Sequence, residues 1–482
     1  MTRTLDAAAT VAALSELLGP DALDTDAAVL RAASVDRFKK YPAAHGIFAG
    51  PFPAAIAYPR STEEVAAVLR WADEHRVPVV PRTGGTSTEG GLEVVRDGTI
   101  VLDGSRMDAI LAIDPVNMMA TVQCGVPLQR LEDELRTHGL TTGHSPQSKP
   151  VAQYGGLTAT RSIGQFSTLY GGIEDMVVGL EAVFPGGLVS RIKNVPRRAA
   201  GPDLRHIVIG NEGALCFVTE VTVKLFPYQP QNSRYLGFLL DDFDAGVKAL
   251  RGIVTAGYRP SVCRLYSPED GAQHFAETAR GKNVAVLVAE GPAPIAAATA
   301  DAIAAAFADH EPMDSGLVEN WLANLNWGPD KMDAEQATML SDAHLGYTTE
   351  VSADWSRITE LYEAVITRIR TEFPRAEDLT LLGAHSSHSY QTGTNLYFVY
   401  DYAIRCAPEA EIDEYHIPLN AIIVEEALRV GGSMVHHHGI GKYRTPWTAV
   451  EHGSAYPLLE RLKDAFDPNG IMNPGSVLPL DR

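Results

Sequence analysis

The segment 53–103 limits the possible folds most, because its pattern alternates between strand and helix. A short apolar strand is predicted at residues 54–58, and Ser61 begins a stretch that has apolar residues on one helical face. A β-branched run at residues 77–80 follows, and another strand is predicted at residues 100–102. This order predicts a β-α-β unit with a loop at the carboxyl end of its second strand, a usual place for a ligand.

The loop at that strand end, residues 81–87, reads Pro-Arg-Thr-Gly-Gly-Thr-Ser. Its paired glycines let backbone N–H groups approach an anion closely, and the Thr86 and Ser87 hydroxyls add donors. An ordinary turn is the alternative, because paired glycines after a strand are common in turns. The loop matches neither the GxGxxG fingerprint nor the GxxxxGK[ST] P-loop, so NAD and ATP lack their usual signatures.

Two further loops have similar chemistry. Residues 154–162 are small and hydroxylated with one arginine, and residues 209–215 place two glycines after another apolar strand. Three such loops in one region favour one long ligand that is contacted at several points. Three unrelated structural turns are the alternative.

Composition narrows the class of protein. A chain of 482 residues is too long for one hydrophobic core, and its formal net charge of −20 argues against a nucleic-acid-binding surface. No stretch approaches the roughly 18 uncharged apolar residues of a membrane span, and residues 1–13 do not resemble a secretory signal. Four widely spaced cysteines without CxxC spacing predict reduced thiols. We therefore expect a cytoplasmic protein that has no transmembrane segment.

The pattern of elements predicts three parts. Short strands with glycine punctuation continue to about residue 227, where two nearby prolines interrupt both helix and strand. Strands and long helices then mix up to about residue 430, which predicts an α+β domain with helices on an antiparallel sheet. The predicted boundaries are 1–228, 229–430 and 431–482.

Three adjacent histidines, His436, His437 and His438, precede Gly-Ile-Gly and Lys442 and form the most unusual feature of the chain. Imidazoles titrate near neutrality and can shuttle protons or hydrogen-bond a substrate oxygen. A metal site or a plain polar loop is the alternative. A metal needs ligands that converge from elsewhere, and the sequence argues against such ligands.

Four segments together resemble the FAD-binding proteins of the vanillyl-alcohol-oxidase superfamily, also called PCMH-type. The segments are residues 81–87, 170–175, 201–203 together with 210–213, and 436–442. The resemblance covers residues 54–474 and is closest to the alkyldihydroxyacetonephosphate synthases and their bacterial FAD-linked oxidoreductase relatives. It implies two α/β subdomains that hold FAD, and an α+β substrate domain that covers the flavin ring.

The resemblance also implies which residues contact the cofactor. They are Pro81, Arg82, Thr83, Gly84, Gly85, Thr86, Ser87, Pro146, Ser148, Gly156, Thr160, Arg161, Ser162, Ile163, Glu212, Gly213, Leu215 and Val218. Members that tether flavin covalently usually present a histidine in the glycine loop, where this chain has Thr86. Non-covalent FAD is therefore expected, although a tether to the histidine triplet stays open.

By the same resemblance, Tyr390 takes the place of a catalytic tyrosine, and the histidine triplet lies beside the flavin. Arg264 matches an arginine near flavin and substrate, where a guanidinium can bind a carboxylate or phosphate. His388 would share a strand face with Tyr390, and Lys442 and Arg444 add positive charge near the substrate. A structural aromatic and a structural ion pair are the alternatives for Tyr390 and Arg264, and a structural role is favoured for His385.

Metal binding is not expected from this resemblance. Related D-2-hydroxyacid dehydrogenases carry His-x6-His metal ligands on one strand, and here Tyr390 and Tyr397 occupy those positions. A phenol with a pKa near 10 is a poor ligand for a zinc-like ion.

Three functions follow from these features. The first is oxidation of a hydroxyl of a polar small molecule, a hydroxy acid or sugar-derived alcohol, with hydride transfer to flavin N5 and an unknown electron acceptor. The second is non-redox acyl–alkoxy exchange of the synthase type, which is weakened because Gln336 stands where the synthases have an arginine. The third is a catalytically silent flavin-binding or assembly protein. A homodimer is possible, because dimers are common among relatives.

Overall fold

The structure is a computed structural model that describes residues 6–481. Its first sheet has four strands in the order β1-β2-β4-β3. These strands are β1 (Leu23–Asp24), β2 (Ala55–Ala57), β3 (Val79–Arg82) and β4 (Ile100–Asp103). β2 and β3 both run parallel to β4, so the predicted β-α-β unit is confirmed.

The helix of this unit, Thr62–His75, begins where the sequence predicts it. The Ser61 hydroxyl accepts a hydrogen bond from the Glu64 N–H at 3.3 Å and so satisfies one free donor of the first turn. The buried face packs on the sheet through Val65, Val68, Leu69 and Ala72. The glycine-rich loop leaves β3 at Arg82, beyond the end of this packed layer.

The second sheet has five strands in the order β5-β6-β10-β8-β9, and all neighbours are antiparallel. A separate two-stranded pair joins β7 and β11. The strands are β5 (Ile110–Asp114), β6 (Met119–Gln123), β7 (Leu140–Thr141), β8 (Val177–Phe184), β9 (Leu188–Ile192), β10 (Phe217–Lys224) and β11 (Phe226–Pro227).

Short helices connect the strands of this half. The α-helices are Ala7–Leu18, Ala27–Ala32, Lys40–Ala44, Thr62–His75, Leu128–Thr137, Tyr154–Ala159, Ser167–Tyr170, Ile173–Met176 and Arg205–Val208. The helix Tyr154–Ala159 packs against β10 and carries the second of the three predicted loops.

The second half contains a seven-stranded sheet in the order β15-β12-β14-β13-β17-β18-β16, with antiparallel neighbours throughout. The strands are β12 (Arg234–Leu240), β13 (Val262–Tyr266), β14 (Asn283–Ala289), β15 (Glu311–Pro312), β16 (His344–Asp354), β17 (Leu379–Ser386) and β18 (Gly393–Ala403). This arrangement confirms the predicted α+β class with an antiparallel sheet. The exact domain boundaries at residues 228 and 430 stay a prediction.

Longer helices accompany this sheet. They are Phe243–Thr255, Pro268–Ala279, Ala293–Ala306, Ser315–Ala323, Pro329–Asp342, Ile358–Glu372 and Ile417–Arg429. The C-terminal segment adds Thr448–His452 and Tyr456–Phe466, and Phe466 packs against the core of the first half. The helices Ile358–Glu372 and Ile417–Arg429 cover one face of the sheet and bury its apolar side chains in the largest core cluster.

The two faces of the seven-stranded sheet differ in chemistry, because side chains alternate along each strand. On β18, Phe398 and Tyr400 belong to the apolar core, whereas Tyr397 and Val399 face a cavity. On β17, Ala384 is in the core, and His385 faces the cavity. One face of the sheet therefore serves as a wall of that cavity.

The C-terminal segment returns to the first half of the molecule. Ser433 bridges to Ser352 at the edge of β16, and Met472 bridges to Val79 in parallel with β3. The segment that carries the histidine triplet thus lies between the two halves. Within residues 6–481, no helix is long and apolar enough to cross a membrane.

Candidate active site

A cavity of about 680 Å³ lies between the glycine-rich loops of the first half and the polar face of the seven-stranded sheet. Most of the predicted cofactor residues line it. They are Pro81, Arg82, Thr83, Gly84, Gly85, Thr86, Ser87, Pro146, Ser148, Gly156, Thr160, Ser162, Ile163, Glu212, Gly213 and Val218. The three loops that are far apart in sequence therefore do converge on one space.

Two predicted cofactor residues lie elsewhere. Arg161 does not line the cavity, and its half-exposed guanidinium pairs with Glu174 at 3.3 Å. Leu215 is packed in the core under the second sheet. Both were assigned from neighbouring positions in a loop, where adjacent side chains point in different directions.

The glycine loop, called the glycine cradle below, lines the cavity and has two positions where the backbone requires glycine. A Cβ on Gly84 would lie 2.7 Å from the Val151 carbonyl oxygen, so only glycine fits there. Gly85 has a φ of +66°, which disfavours side chains, although a Cβ would meet only the Arg82 guanidinium at 3.5 Å. Conformation, rather than lack of space on the protein side, therefore makes Gly85 necessary.

Unsatisfied polar groups also face this space. The buried Oε1 atoms of Gln153 and Gln165, two residues that line the cavity, have no hydrogen-bond partner within residues 6–481. Buried amide oxygens rarely stay unpaired, so a polar ligand fits here. Together with the glycine cradle, these groups fit a dinucleotide cofactor.

The wall formed by the sheet brings together four of the predicted substrate-side residues, namely Arg264, His388, His437 and His438. It also contains residues that the sequence analysis did not assign to the site. These are Asp270, His274, His385 and Tyr397. The available signal was strand alternation, because Tyr397 and His385 are polar positions that alternate with apolar core positions on β18 and β17.

Arg264 is 2% exposed, and its guanidinium has no carboxylate partner among the described residues. One NH group donates to the Tyr266 hydroxyl at 2.6 Å, and the Nε atom has no hydrogen-bond partner in the part of the chain that the structure describes. The guanidinium also lies over the rings of Tyr266 and Trp321. A buried charge without a counter-ion is costly, so this group is suited to an anionic ligand.

Two buried carboxylates hold the histidine segment in place. Glu350, on β16, accepts the backbone N–H groups of His436, His437 and His438 at 2.7, 3.2 and 2.5 Å. Burial would raise its pKa, but Arg444 and the imidazoles outweigh that effect and lower it. Glu350 is therefore ionised at neutral pH.

Glu212 holds the next part of the same segment. Its two carboxylate oxygens accept the N–H groups of Ile440 and Gly441, both at 2.7 Å. Its φ of +49° is unusual for a residue with a side chain, and such strain is maintained only where surrounding contacts fix it. Glu212 was predicted to contact the cofactor, and its carboxylate is instead used by the histidine segment.

The imidazoles form a hydrogen-bonded series. His436 Nδ1 lies 2.8 Å from His437 Nδ1, and His388 Nδ1 lies 2.7 Å from the Ser167 hydroxyl. Burial lowers the pKa of His436 to about 4 and the pKa values of His437 and His388 well below their usual range. These rings are therefore neutral at neutral pH and can accept or pass a proton.

Tyr390 reaches this series from outside the cavity. It is 37% exposed and does not line the cavity, but its hydroxyl lies 2.7 Å from His436 Nε2. The prediction that Tyr390 and His388 share a strand face is wrong, because β17 ends at Ser386 and both residues lie in the connection that follows. Burial raises the pKa of the Tyr390 phenol. Tyr390 therefore connects to the cavity through His436 and His437.

Lys442 and Arg444 do not lie where the sequence analysis placed them. Arg444 is 0% exposed and pairs with Glu89 at 3.2 Å and with Glu350 at 3.6 Å. Lys442 donates to the Gly91 carbonyl oxygen and to Asn473 Oδ1. Their assignment as substrate contacts is therefore wrong, because both cations are used to hold the histidine segment.

The structure changes one premise of the prediction that no metal binds, namely that no further ligand converges on the histidine triplet. Ring nitrogens of His388, His436 and His437 all lie within 4.8 Å of one another, so a histidine from outside the triplet does converge on it. Two of these nitrogens, on His436 and His437, are already within hydrogen-bond distance of each other. The absence of a metal stays a prediction.

The fold and the cavity together define an enzyme that holds a dinucleotide cofactor against an imidazole-rich sheet. Comparison with known proteins agrees. The profile of the FAD binding domain matches residues 53–193, and the profile of the C-terminal domain of FAD linked oxidases matches residues 229–477.

The uncharacterised FAD-linked oxidoreductase YgcU of Escherichia coli (strain K12) is 59% identical over 99% of this chain and 100% of its own length. The glycolate oxidase subunit GlcD of Bacillus subtilis (strain 168) is 28% identical over 97% of this chain and 96% of its own. A solved alkyldihydroxyacetonephosphate synthase covers 97% of this chain and 84% of its own, at 24% identity and a TM-score of 0.77, and so shares the fold. The chain therefore belongs to the FAD-linked oxidases, and it is an FAD-dependent oxidoreductase.

Proposed function

We propose that this enzyme oxidises a hydroxyl of a small hydroxy acid, or of an acid derived from a sugar, at the cavity described above. The observation that carries this proposal is the buried Arg264 guanidinium, which faces the cavity and has no counter-ion within residues 6–481. A substrate carboxylate would supply that counter-ion and fix one end of the molecule. GlcD, a relative of similar length, is named for the oxidation of glycolate, which is a hydroxy acid.

Bound FAD would accept the hydride from the carbon that carries the hydroxyl, and its diphosphate would lie on the backbone of residues 82–87. The cradle at Gly84 and the unpaired amide oxygens of Gln153 and Gln165 are the protein groups that support this placement. The protein then has two tasks, which are to orient the substrate and to receive the hydroxyl proton.

The imidazoles of the triplet are suited to hydrogen-bond the substrate oxygen and to relay a proton away from the cavity. His437 and His438 line the cavity, and His437 is connected through His436 to the Tyr390 hydroxyl. A proton that reaches His437 can therefore move through His436 to the surface at Tyr390. Glu350 keeps the triplet in position, because its carboxylate accepts hydrogen bonds from three consecutive N–H groups.

Anaerobic mixing tests this proposal directly. The purified holoenzyme is combined without oxygen with a series of 2-hydroxy acids and sugar acids, and flavin absorbance is recorded. Bleaching by at least one hydroxy acid, and its loss in Arg264→Met with FAD still bound, is the expected result. If no hydroxy acid bleaches the flavin, or if Arg264→Met is as active as the wild type, the proposal is wrong.

Synthase-type exchange is the second candidate, because the chain shares its fold with an alkyldihydroxyacetonephosphate synthase. The cavity wall beyond the histidines is mixed in character and includes Lys40, Glu335 and Asp401, which would fit a long alkyl chain poorly. Turnover of an acyl ketone phosphate without any bleaching of the flavin would favour this second function. The electron acceptor and a homodimer stay proposals in either case.

A further inference from the structure

A second polar pair lies on the cavity wall, apart from the histidine triplet. His385, on β17, is 6% exposed and places its Nδ1 atom 2.6 Å from Oδ2 of Asp270. Asp270 is 2% exposed and belongs to the first turn of the helix Pro268–Ala279, where the helix dipole stabilises a carboxylate. Both residues line the cavity. The sequence analysis favoured a structural role for His385, so this pair was missed.

The two nitrogens of His385 have different partners. A neutral imidazole that donates its Nδ1–H to Asp270 must carry a lone pair on Nε2. Within residues 6–481 the Nε2 atom has no hydrogen-bond partner, and the residue faces the cavity. This arrangement, a carboxylate that fixes the tautomer and a free second nitrogen, is that of a general base.

The other imidazoles of the cavity lack this combination. His437 is bonded to His436 and has no carboxylate at hydrogen-bond distance from its ring. His438 Nε2 is taken by the Tyr397 hydroxyl at 3.2 Å. His388 bonds only the neutral hydroxyl of Ser167. Two buried carboxylates do lie near His438 Nδ1, Glu89 at 3.3 Å and Glu350 at 3.5 Å, but the other nitrogen of that ring is occupied. Among the described imidazoles of the cavity, His385 therefore stands out by combining a hydrogen-bonded buried carboxylate with a second nitrogen that has no partner.

The groups around His385 explain when it would become basic. Tyr397 stacks on the ring at 4.9 Å, Tyr266 lies at 5.1 Å, and His274 lies 3.9 Å from the other oxygen of Asp270. Burial and then the positive charge of Arg264 lower the pKa of His385, while Asp270 opposes both. A substrate carboxylate on Arg264 would neutralise that positive charge, so the pKa of His385 would be lowered less. Substrate binding would thus prepare the base.

We propose that His385, oriented by Asp270, is the general base of the oxidation. This rests on the proposed function. The O–H proton of the substrate moves to His385 Nε2, the C–H hydride and its electron pair leave for the bound flavin, and the C–O bond becomes a carbonyl. His385 is then an imidazolium beside the Asp270 carboxylate. Asp270 is a positioning residue that acts through His385.

Rapid mixing measures the chemical step. With the hydroxy acid that bleaches wild-type flavin, His385→Asn should slow flavin reduction by about 10²-fold or more, while substrate affinity changes far less. Asp270→Asn should slow it by about tenfold and move the acidic limb of the pH profile to lower pH, because the imidazolium loses its stabilising charge. His138→Asn, at an exposed histidine far from the cavity, is the matched control and should reduce at the wild-type rate.

A readout without turnover separates the two proposals. Nitrogen NMR of the holoenzyme labelled with [15N]histidine should show an unprotonated Nε2 for His385 at neutral pH, assigned by its loss in His385→Asn. In Asp270→Asn this tautomer should no longer dominate. If no hydroxy acid reduces wild-type flavin, the proposed function fails. The tautomer of His385 then tests separately whether Asp270 holds this imidazole in the form that can accept a proton. A protonated Nε2 in the wild type, or wild-type reduction rates in His385→Asn, would overturn the inference.

Discussion

The two walls of the cavity are built from different parts of the polypeptide. The wall of glycine loops uses backbone geometry, such as the crowded Gly84 and the positive φ of Gly85. The wall of the seven-stranded sheet uses side chains from separate strands, such as Arg264 on β13 and His385 on β17. Backbone sites depend on a few consecutive residues, whereas side-chain sites depend on how distant strands pair. The following experiments test whether the two walls also differ in what they do.

Gly85→Val should have the largest effect and remove FAD from the purified protein. A β-branched side chain strongly disfavours a φ near +66°, so the loop would change conformation and withdraw its N–H groups from the diphosphate. Flavin content per chain, from absorbance after denaturation, is the measurement. Gly139→Val is the control, because Gly139 has a φ of +69° in open space away from the cavity and should lose only stability. A fully flavin-loaded Gly85→Val protein would contradict the assigned role of this wall.

Glu350→Gln should lower the free energy of unfolding by about 3–5 kcal/mol, because it leaves Arg444 and three N–H groups facing a weaker acceptor. The folded-state pKa of Glu350 is lowered, so its stabilisation is present above the unfolded pKa and is lost as pH falls below about 4. Wild type should therefore lose more stability than Glu350→Gln between neutral pH and pH about 3. Denaturant unfolding at several pH values measures this difference. An equal loss of stability in both proteins as pH falls would contradict the prediction.

Tyr390→Phe should keep its flavin but slow turnover by about tenfold, close to 1.4 kcal/mol in the barrier. The change removes the hydroxyl that bonds His436 Nε2 and so ends the proton route at the imidazoles. Steady-state turnover with the bleaching substrate is the measurement. The variant does not alter His388, whose ring is hydrogen-bonded to Ser167, so the packing of the imidazole rings should stay as it is. Unchanged turnover would remove Tyr390 from the proton path.

Arg161→Ala should have the smallest effect. Its guanidinium forms a half-exposed ion pair with Glu174, and such pairs contribute about 0–1 kcal/mol. FAD affinity, measured by titrating apoprotein with FAD, should stay within about twofold of wild type. A large loss of affinity would mean that Arg161 turns toward the cofactor when it binds.

The difference between the two cavity walls also explains which features could be predicted from the sequence. The β-α-β unit and the loop at residues 81–87 were predicted because hydrophobic periodicity and paired glycines are local signals. The antiparallel sheet was predicted as a class, but its register was not. Without the register, the proximity of His385 to Asp270 and of Glu350 to the triplet could not be foreseen.

Charge alone was a poor guide to the site. Lys442 and Arg444 were assigned to substrate because they follow the histidine triplet, yet both are used internally. Glu212 was assigned to the cofactor from the resemblance, and it does line the cavity, but its carboxylate binds the backbone of residues 440 and 441. The sequence shows where a charged side chain occurs, and only the folded chain shows which group it pairs with.

The two carboxylates that hold the histidine segment come from opposite halves of the molecule. Glu212 precedes β10 on the flavin side, and Glu350 belongs to β16 of the other sheet. Neither half alone offers all five backbone amides an acceptor, so a fragment of this enzyme would contain its histidines without the carboxylates that position them. The arrangement of the histidine segment is thereby made conditional on the completed folding of both halves.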